Sequence, residues 1–588
     1  MGDGATALDM PVAATLKRAT TASPHPAERF TLVALGAAML GLRLPYVVAY
    51  PFDSDEPQHL HVAWAWTKGL MQYRDVFDNH APLFHMLSAP LVALIGETPR
   101  ILVLMRLAMI PLFALTLWGS FLLGRSLFGA RVGLWSAVIC GLSPTFFFKG
   151  LEYRADVLWA ALWLLAIAVL CGGELRPRRA FCGGLLIGAC LAVSLKTIML
   201  LLALAIASAG VLALAPRPAP DDRRPPSRAR DLAACAASAL GGVVVLPLAI
   251  VFYFAARGAL PDLVRGAVLH NMVPGVGIWG RSSRHLLTLP ILALLLVAAR
   301  AILRRFPGDG ARVAFLLLLA GSQYVLLSTL WPVHTRQDLL PFYPLLTVLL
   351  AGLLLARRPA AGEEGDRRGD GRWTWAAPRA AIVPFILALL ELLVLPALSP
   401  IAAHGTAAEE RLIAEVLALT GPDDYVLDPK GQAVFRNRPY YYALEKMTLE
   451  RMARGLIEDT IPERCVATRT CVAPAALGGF PPRARRFLED QYVVVGAWRV
   501  AGRMLERGTN DGAGPIEFDL AIEARYAIVD ARGQAGGILD GRPYSGPREL
   551  SPGRHAFTPE EGTGPLAVVW AQAIERGYSP FAGEGVAR

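Results

Sequence analysis

The stretch FDSDEPQHLHVAWAWTKGLMQYRDVFDNHAPLFH, residues 52–85, carries five carboxylates, four histidines and two tryptophans between apolar segments. The run from Leu32 to Val48, broken by Arg43, precedes it, and another apolar run over residues 104–124 follows. Charged side chains are costly in lipid, whereas tryptophan is enriched at the membrane surface. The pattern predicts a polar loop that lies at a membrane surface directly after the first transmembrane helix.

The composition of the whole chain also indicates a membrane protein. Its 588 residues are 54% hydrophobic and 18% charged, with a mean hydropathy of +0.42, whereas soluble domains carry roughly 25% charged residues. Several more apolar runs approach the ~20 residues that a membrane helix needs. They lie at 132–148, 243–256, 315–330 and 382–395. We expect a polytopic α-helical membrane protein with about 11 transmembrane helices.

Two apolar runs have unusual lengths. The stretch 85–96 is too short to span a bilayer, so we expect an interfacial or re-entrant segment. The stretch 181–215 is too long for one crossing and suits two short helices that meet near Lys196.

The net charge of +10 first suggests a nucleic-acid partner, but the positions of the basic residues argue against one. Lysine and arginine cluster in short loops between apolar runs, as the positive-inside rule describes for cytoplasmic loops. We therefore expect membrane lipids among the partners and no nucleic acid.

The alternation of basic loops gives a predicted orientation. No signal peptide is evident, so residues 1–29 are expected to form a cytoplasmic tail before an uncleaved first helix. The transmembrane domain covers 30–399, with a first outer loop at 50–103, and residues 400–588 form an extracytoplasmic soluble domain. This predicts a multi-pass protein of a bacterial-type inner (plasma) membrane with a periplasmic C-terminal domain.

The sequence pattern of the C-terminal domain predicts an α+β or β-sandwich-like fold. Residues Ala407 to Leu419 have the apolar spacing of an amphipathic helix, and short alternating strands separated by turns begin at Trp498. In an oxidising compartment Cys465 and Cys471 would either pair or remain free thiols, and the spacing leaves both alternatives open.

The first outer loop offers a general base. A carboxylate near a low-dielectric surface can take a proton from a hydroxyl, and Asp55 shares a helix face with His59. The ordinary alternative is that Asp53, Asp55 and Glu56 only stabilise a helix N-terminus.

Cations in loops expected on the same side of the membrane as Asp55 could hold an anionic leaving group. The candidates are His80, Lys196, Arg154 and Arg336. Each also has an ordinary explanation: Arg154 could pair with Glu152 or Asp156, Arg336 with Asp338, and Lys196 could snorkel from a helix end.

No cofactor is certain from the sequence. His59 and His61 are two residues apart and point in different directions on a helix, which disfavours a His-x-His metal pair. A divalent metal held by His80, His85 and nearby acids such as Asp78 stays open as an alternative, and no metal ligand is assigned.

Four motifs in fixed order resemble the GT-C superfamily of integral-membrane glycosyltransferases. They are Asp55-Glu56 with the following HVAWAWTKGLMQYRDVFDNHAPLFH, RILVLMRLAMIPLFALTLWGSFLLGRSLFG, LSPTFFFKGLEYRADVLWAALW, and HTRQDLLPFYPLL. The likeness covers residues 30–356. It is greatest to the branch that includes protein O-mannosyltransferases and the aminoarabinose transferases that act on lipid A.

This resemblance implies a GT-C-like catalytic domain that uses a polyprenyl-phosphate-linked sugar donor, with inversion at the anomeric carbon. It implies Asp55 as the catalytic carboxylate, Glu56 as its partner and Asp156 as a second acidic position. Arg336 would lie near the donor phosphate. Lys196 and His80 are the other candidate phosphate ligands, because their loops are expected on the same side of the membrane. The remaining candidates for the substrate site are His59, Asp78, Glu152, Arg154 and His85.

One motif departs from the family. Many aminoarabinose transferases carry lysine before Pro-Pro in the first loop, whereas this chain has His80-Ala81-Pro82. The sugar is therefore not assigned, and neither is the acceptor, which could be a lipid, a glycan or a protein. Two alternatives to a hexosyl- or pentosyltransferase are a flippase or transporter of a lipid-linked saccharide, and a non-enzymatic cell-envelope assembly protein.

Overall fold

The computed structural model describes residues 24–214, 226–274, 283–305, 310–355, 381–506, 514–561 and 563–581. A helical part extends to residue 398, and an α+β part follows it. The predicted cytoplasmic tail lies almost wholly outside the described residues, since only residues from 24 onward are described.

The helical part contains sixteen labelled helices among the described residues. They are α1 Pro26–Ala49, α2 Asp55–Thr67, α3 Leu83–Ile95, α4 Ile101–Leu107, α5 Ile110–Phe128, α6 Ala130–Leu142, α7 Pro144–Lys149, α8 Ala155–Cys171, α9 Pro177–Val193, α10 Thr197–Leu214, α11 Pro226–Ala256, α12 Leu260–Leu263, α13 Thr288–Arg305, α14 Gly310–Thr329, α15 Phe342–Leu355 and α16 Ile382–Leu398. A π-helical turn Val264–Val268 and 3₁₀ turns at Leu269–Asn271, Ser283–Leu287 and Arg336–Leu339 connect some of them.

Six helical stretches of the described chain are long and apolar enough to cross a membrane. They are Pro26–Ala49, Ile101–Phe128, Thr197–Leu214, Arg230–Ala256, Ser283–Arg305 and Gly310–Thr329. Five further apolar helices have 10–17 residues. The number of about 11 spans therefore stays a prediction, because these shorter helices do not by length alone establish a crossing.

The two runs of unusual length form separate short helices. The long run divides at Ser194–Lys196 into α9 and α10, as the sequence predicted. Residues 85–95 lie within the 13-residue helix α3, which contains Pro90 and is followed by Gly96 at its C-cap.

The ends of the helical part differ in what they contact. At the start of α1, Glu28 accepts hydrogen bonds from Arg131 and Trp135 of α6, both at 2.7 Å. At the opposite end of α1, the hydroxyl of Tyr46 donates to the carbonyl oxygen of Ser399, where the C-terminal part begins. The C-terminal part therefore packs at the end of the helical part where α1 finishes.

The C-terminal part begins with helices and continues into two antiparallel sheets. Its helices are α17 Ala407–Leu419, α18 Lys446–Ala453, α19 Ile461–Ala467, α20 Pro482–Gln491 and α21 Ala571–Glu575. Its strands are β1 Val472–Pro474, β2 Tyr492–Val495, β3 Trp498–Leu505, β4 Ile516–Leu520, β5 Ala524–Asp530, β6 Gly533–Gln534, β7 Gly537–Leu539, β8 Arg542–Tyr544, β9 Arg548–Leu550, β10 Gly553–Pro559 and β11 Leu566–Trp570. The amphipathic helix predicted at 407–419 is confirmed with the same limits.

The two sheets share one buried core. The larger sheet has the order β1-β3-β11-β5-β6, with β2 on β3 and β9 on β5, and the smaller one has the order β4-β10-β7-β8. Trp498 and Val568 from the larger sheet and Phe518 and Phe557 from the smaller one belong to the same hydrophobic cluster. The predicted strand-rich domain is thus present.

The two cysteines of this part remain free thiols. Cys465 on α19 and Cys471 just before β1 are each buried in the C-terminal core. Of the two alternatives for this pair, the structure has the unpaired one. Both cysteines pack in the core as small apolar side chains.

Two glycines of α9 allow α11 to approach closely. A Cβ atom at Gly184 would collide with the carbonyl oxygen of Ala239, and one at Gly188 with that of Val243. Small residues four apart are typical of tightly packed membrane helices.

We expect Gly188→Val to destabilise the protein by about 1–3 kcal/mol, because the added methyl groups must push the α11 backbone away. The control is Gly241→Val on α11, since nothing lies within 4 Å of a Cβ built there. Thermal unfolding of the detergent-purified full chain measures both, and equal melting temperatures for the two variants would contradict the tight α9–α11 contact.

Candidate active site

The predicted interfacial helix α2 begins at Asp55 and opens the candidate site. The side chain of Asp53 accepts a hydrogen bond from the backbone N–H of Asp55 at 3.1 Å, whereas Ser54 at the N-cap position makes no side-chain capping bond. Pro57 follows in the first turn, where proline is tolerated. Because successive residues of a helix point about 100° apart, Asp55 and Glu56 face different surroundings.

Glu56 faces the protein interior and forms a two-point ion pair with Arg106 of α4. The atom pairs are Nε–Oε2 at 2.8 Å and Nη2–Oε1 at 2.5 Å, and both side chains are fully buried. The backbone N–H groups of Asp53 and Tyr153 also donate to Glu56, each at 2.9 Å. This position differs from the expectation of a catalytic partner for Asp55, because the carboxylate is closed off from solvent and fully occupied.

Arg106 also connects the Glu56–Arg106 ion pair to the end of α1. Its guanidinium donates to the carbonyl oxygens of Val47, Tyr50 and Pro51 at 2.6–3.1 Å. The ion pair therefore fixes the chain on both sides of Asp55.

Arg154, at the start of α8, is the central cation of the site. Its Nη1 atom donates to Asp53 at 2.7 Å and also to Asp55. Its Nε atom lies 3.2 Å from Asp156. The expected local pairing with Asp156 is present, but Arg154 also joins α8 to the first outer loop.

Lys196, between α9 and α10, holds Asp156 from the other side. Its ammonium donates to Asp156 at 3.0 Å and to Asp338 at 2.5 Å. The expected alternative of a snorkelling lysine is not what the structure has, because Lys196 is mostly buried and paired to two carboxylates. Asp338 also closes a capping box with Thr335 in the 3₁₀ turn before α15.

Glu152 lies behind Arg154 and is buried. Lys149 donates to it at 2.5 Å, and the amide of Gln337 donates to it at 3.0 Å and to Asp53 at 3.2 Å. Burial and the neighbouring Glu56 raise the pKa of Glu152 to about 7, against the opposing effect of Arg154 and Lys149.

The C-terminal part supplies a further cation, Lys430, which the sequence did not point to. Its ammonium donates to Asp55 Oδ1 at 2.5 Å and to the hydroxyl of Ser54 at 3.1 Å. No motif marks Lys430 in the sequence, since it lies 375 residues after Asp55.

Asp55 itself combines accessibility with strong positive surroundings. About a quarter of its side chain (26%) is exposed, whereas that of Arg154 is 5% exposed. Burial alone would raise the pKa of Asp55, but Arg154 and Lys430 hold it well below its usual range. Asp55 is therefore an ionised carboxylate that solvent or a substrate can reach.

The histidines of the first loop form a second cluster beside α2. His59 Nδ1 lies 2.9 Å from His85 Nε2, and Asp78 contacts His85 at 3.3 Å and His80 at 2.9 Å. Burial and the nearness of His80 and His85 hold the pKa of His59 well below its usual value. Within the described residues, no group of three or more His, Cys, Asp or Glu side chains is arranged to hold a metal ion.

The other expected phosphate ligand, Arg336, lies at the edge of the site. It is exposed, and within the part of the chain that the structure describes it forms neither a hydrogen bond nor an ion pair. Its expected partner Asp338 is instead paired with Lys196. Gln337 and Asp338 next to it are both part of the site, so Arg336 is close to it along the chain.

The sequence matches no protein-family model and no curated protein. Solved structures do match. ArnT from Cupriavidus metallidurans in the apo state has a TM-score of 0.54 at 13% identity, covering 81% of this chain and 98% of that one. The same protein bound to undecaprenyl phosphate has a TM-score of 0.53 at 13% identity, covering 80% and 97%.

The chain has a GT-C fold. The resemblance expected from the four sequence motifs is thereby confirmed at the level of the fold, and the chain is a multi-pass membrane protein. A third structure, the archaeal oligosaccharyltransferase AglB from Archaeoglobus fulgidus, matches with a TM-score of 0.44 at 14% identity, covering 82% and 73%.

This GT-C fold brings most of the predicted site residues together. Asp55, Arg154, Asp156 and Lys196 form one continuous chain of ion pairs. His59, Asp78, His80 and His85 form the adjoining cluster, and Glu56 faces the interior.

We expect Arg106→Met to destabilise the protein by about 3–5 kcal/mol, because Glu56 would keep its charge in the interior without a partner. Arg100→Met is the control, since Arg100 is 80% exposed and such surface changes cost within about 0.5 kcal/mol. Melting temperatures of the purified full chain measure both, and the double variant Glu56→Gln with Arg106→Met should recover part of the loss. A single variant Arg106→Met as stable as Arg100→Met would show that the pair does not anchor the site.

Proposed function

We propose that this protein is an inverting glycosyltransferase that moves a sugar from a polyprenyl phosphate to an acceptor hydroxyl at the extracytoplasmic face of a membrane. The observation that carries the proposal is Asp55: it is an ionised, partly exposed carboxylate at the start of α2 that pairs with cations from two distant chain segments, Arg154 and Lys430. The GT-C fold supports it, because the matching ArnT was solved with undecaprenyl phosphate bound.

Asp55 would act as the general base. In the proposed step it takes the proton of the acceptor hydroxyl while the acceptor oxygen forms a bond to the anomeric carbon. The bond between that carbon and the phosphate oxygen breaks, and its electron pair leaves with the lipid phosphate. Attack on the side opposite the phosphate inverts the anomeric centre.

The cations around Asp55 suit the phosphate that leaves. A phosphate is already a good leaving group, so positive charges placed where its negative charge develops can replace a general acid. Lys149, Arg154 and Lys430 meet at Asp53 and Asp55. Arg336 at the edge pairs with no acidic side chain among the residues that the structure describes. We assign the donor phosphate to this region.

Lys196 and Asp156 would have a different role from the one expected for Lys196. Because Lys196 is enclosed by Asp156 and Asp338, it would hold Asp156 in place and not contact the phosphate directly. Asp156 would then orient a hydroxyl group of the sugar or of the acceptor. His80, 25% exposed beside Asp78, could reach the sugar from the first loop.

The sidedness of the site gives a proposed orientation. The C-terminal part packs on the same end of the helices as Asp55, through Lys430 and Tyr46. With the arginine-rich loops in the cytoplasm, residues 30–399 form the catalytic transmembrane domain and 400–588 an extracytoplasmic domain of a bacterial-type inner membrane.

The position of the charged groups favours a transferase over a flippase or transporter. Asp55, Arg154 and Lys196 lie at or just beyond helix ends, whereas transporters place coupling sites near the middle of their helices. The sugar and the acceptor class are left open by these contacts.

We expect Asp55→Asn to lower kcat by about 100-fold or more, since general bases contribute typically 10²–10⁴-fold. The measurement is the release of undecaprenyl phosphate by the purified full chain from a panel of undecaprenyl-phosphate sugars with an acceptor extract. Asp75→Asn in the same loop is the control, because Asp75 is paired with Arg74 away from the cluster. If Asp55→Asn keeps more than a tenth of wild-type turnover, Asp55 is not the base.

We expect Arg336→Ala to raise the KM for the lipid-linked donor by about tenfold, the loss of one charge-assisted contact, with a much smaller change in the KM for the acceptor. Arg464→Ala on the exposed side of α19 serves as the matched control. Equal changes in both KM values would reject Arg336 as a phosphate ligand.

A further inference from the structure

The loop that carries Lys430 is held in a fixed shape by a buried carboxylate. Asp428 accepts hydrogen bonds from the backbone N–H groups of Gly431 and Ala433, the second at 3.0 Å. Arg438 lies 3.4 Å from Asp428 on the other side. Asp428 is fully buried, so the turn that carries Lys430 is held by contacts that do not involve the Lys430 side chain.

Two residues with positive φ lie where this loop packs against α2. Gly431 has φ +89°, and a Cβ there would lie 2.9 Å from the Cβ of His61 and 3.2 Å from the carbonyl oxygen of Pro57. Val434 has φ 48°, which is strained for a β-branched residue, and its carbonyl oxygen lies 2.8 Å from His61 Nδ1. The loop is thus pressed against the first two turns of α2, beside Asp55.

Lys430 has its charged partner outside the C-terminal part, on α2, unlike Arg438 of the same loop. Arg436 is occupied by Glu97 at 2.9 Å and by Thr420 at 2.8 Å, and Arg438 by Asp428. Lys430 leaves the loop to reach Ser54 and Asp55. An ammonium on a flexible four-carbon chain can change partners while the loop stays in place.

The contact with Lys430 works against the proposed role of Asp55. A carboxylate paired with two cations is a weak base, and Arg154 and Lys430 together hold the pKa of Asp55 well below its ordinary value despite its burial. In the proposed reaction the donor phosphate is the component whose negative charge can compete with Asp55 for the ammonium group.

We propose that Lys430 couples donor binding to the basicity of Asp55: it pairs with Asp55 in the resting protein and moves to the phosphate of the lipid donor when the donor binds. This inference rests on the proposed function and adds to it that the C-terminal domain supplies part of the catalytic site. Once Lys430 has moved, Asp55 can accept the acceptor proton as the new carbon–oxygen bond forms. The electron pair of the broken bond goes to the phosphate that Lys430 then neutralises.

A double-mutant cycle on binding tests this exchange without any turnover. The dissociation constant of undecaprenyl phosphate is measured for the full chain in lipid nanodiscs, as wild type, Asp55→Asn, Lys430→Met and the double variant. We expect Asp55→Asn to tighten binding and Lys430→Met to weaken it, each by about tenfold. In the Lys430→Met background, the gain from Asp55→Asn should shrink to about threefold or less, since only Arg154 is then released.

Two controls separate coupling from a structural role. Lys446→Met, at an exposed lysine of the same domain, should bind undecaprenyl phosphate like the wild type. Lys430→Arg should keep most of the affinity, because it keeps the charge. Strictly additive effects of Asp55→Asn and Lys430→Met would overturn the coupling, and so would a Lys430→Met variant with unchanged affinity.

The pH dependence of transfer gives a second, independent test. Removal of Lys430 raises the pKa of Asp55, so the acid limb of the kcat/KM profile should move to higher pH by about one unit in Lys430→Met. An acid limb that stays in place would contradict the inference while leaving Asp55 as the base. A wild-type protein that releases no undecaprenyl phosphate would instead overturn the proposed function, and the binding cycle would still decide the role of Lys430.

Discussion

The site depends on the buried ion pair between Glu56 and Arg106. In a low-dielectric interior neither charge can be left alone, so the two groups hold each other and the backbone around them. Arg106 also binds three carbonyl oxygens at the end of α1, and Glu56 receives the N–H of Tyr153 just before α8. One pair thus fixes α1, α2, α4 and the approach to α8, and these elements frame Asp55. The adjacent acids Asp55 and Glu56 therefore have different roles. Glu56 fixes the backbone of the first loop, and Asp55 remains partly exposed on it.

Around Asp55 the charges alternate in sign. Carboxylates and cations from the first loop, the start of α8, the α9–α10 junction and the turn before α15 each share a partner with the next. Such a network is rigid when every group is satisfied, and it presents oriented charge without reorganisation. The charged residues lie at helix ends, because only there can four separate segments of a helical membrane protein meet near water.

Local patterns in the sequence predicted the helices and most of the residues of the site. Apolar runs located α1, α5 and α14, and the split of the long run at Lys196 followed from its length alone. The sidedness of Asp55, Arg154 and Lys196 followed from counting loops. The partners did not follow, because they depend on packing between distant segments. Arg106 lies inside an apolar run without any marker of its role, so the sequence predicted Glu56 as a catalytic partner of Asp55 and not as one half of a buried ion pair. Lys430 is one of many charged residues in a polar domain, and only the seating of its loop on α2 brings it to Asp55.

The arrival of Lys430 from far along the chain has a consequence for biogenesis. Helices α1 to α16 emerge and insert before the ribosome has finished residues 400–588, so the membrane part exists for a time without this lysine. During that interval Asp55 has Arg154 as a partner but lacks Lys430. The proposed coupling through Lys430 would therefore begin only after the last domain has folded and docked on α2.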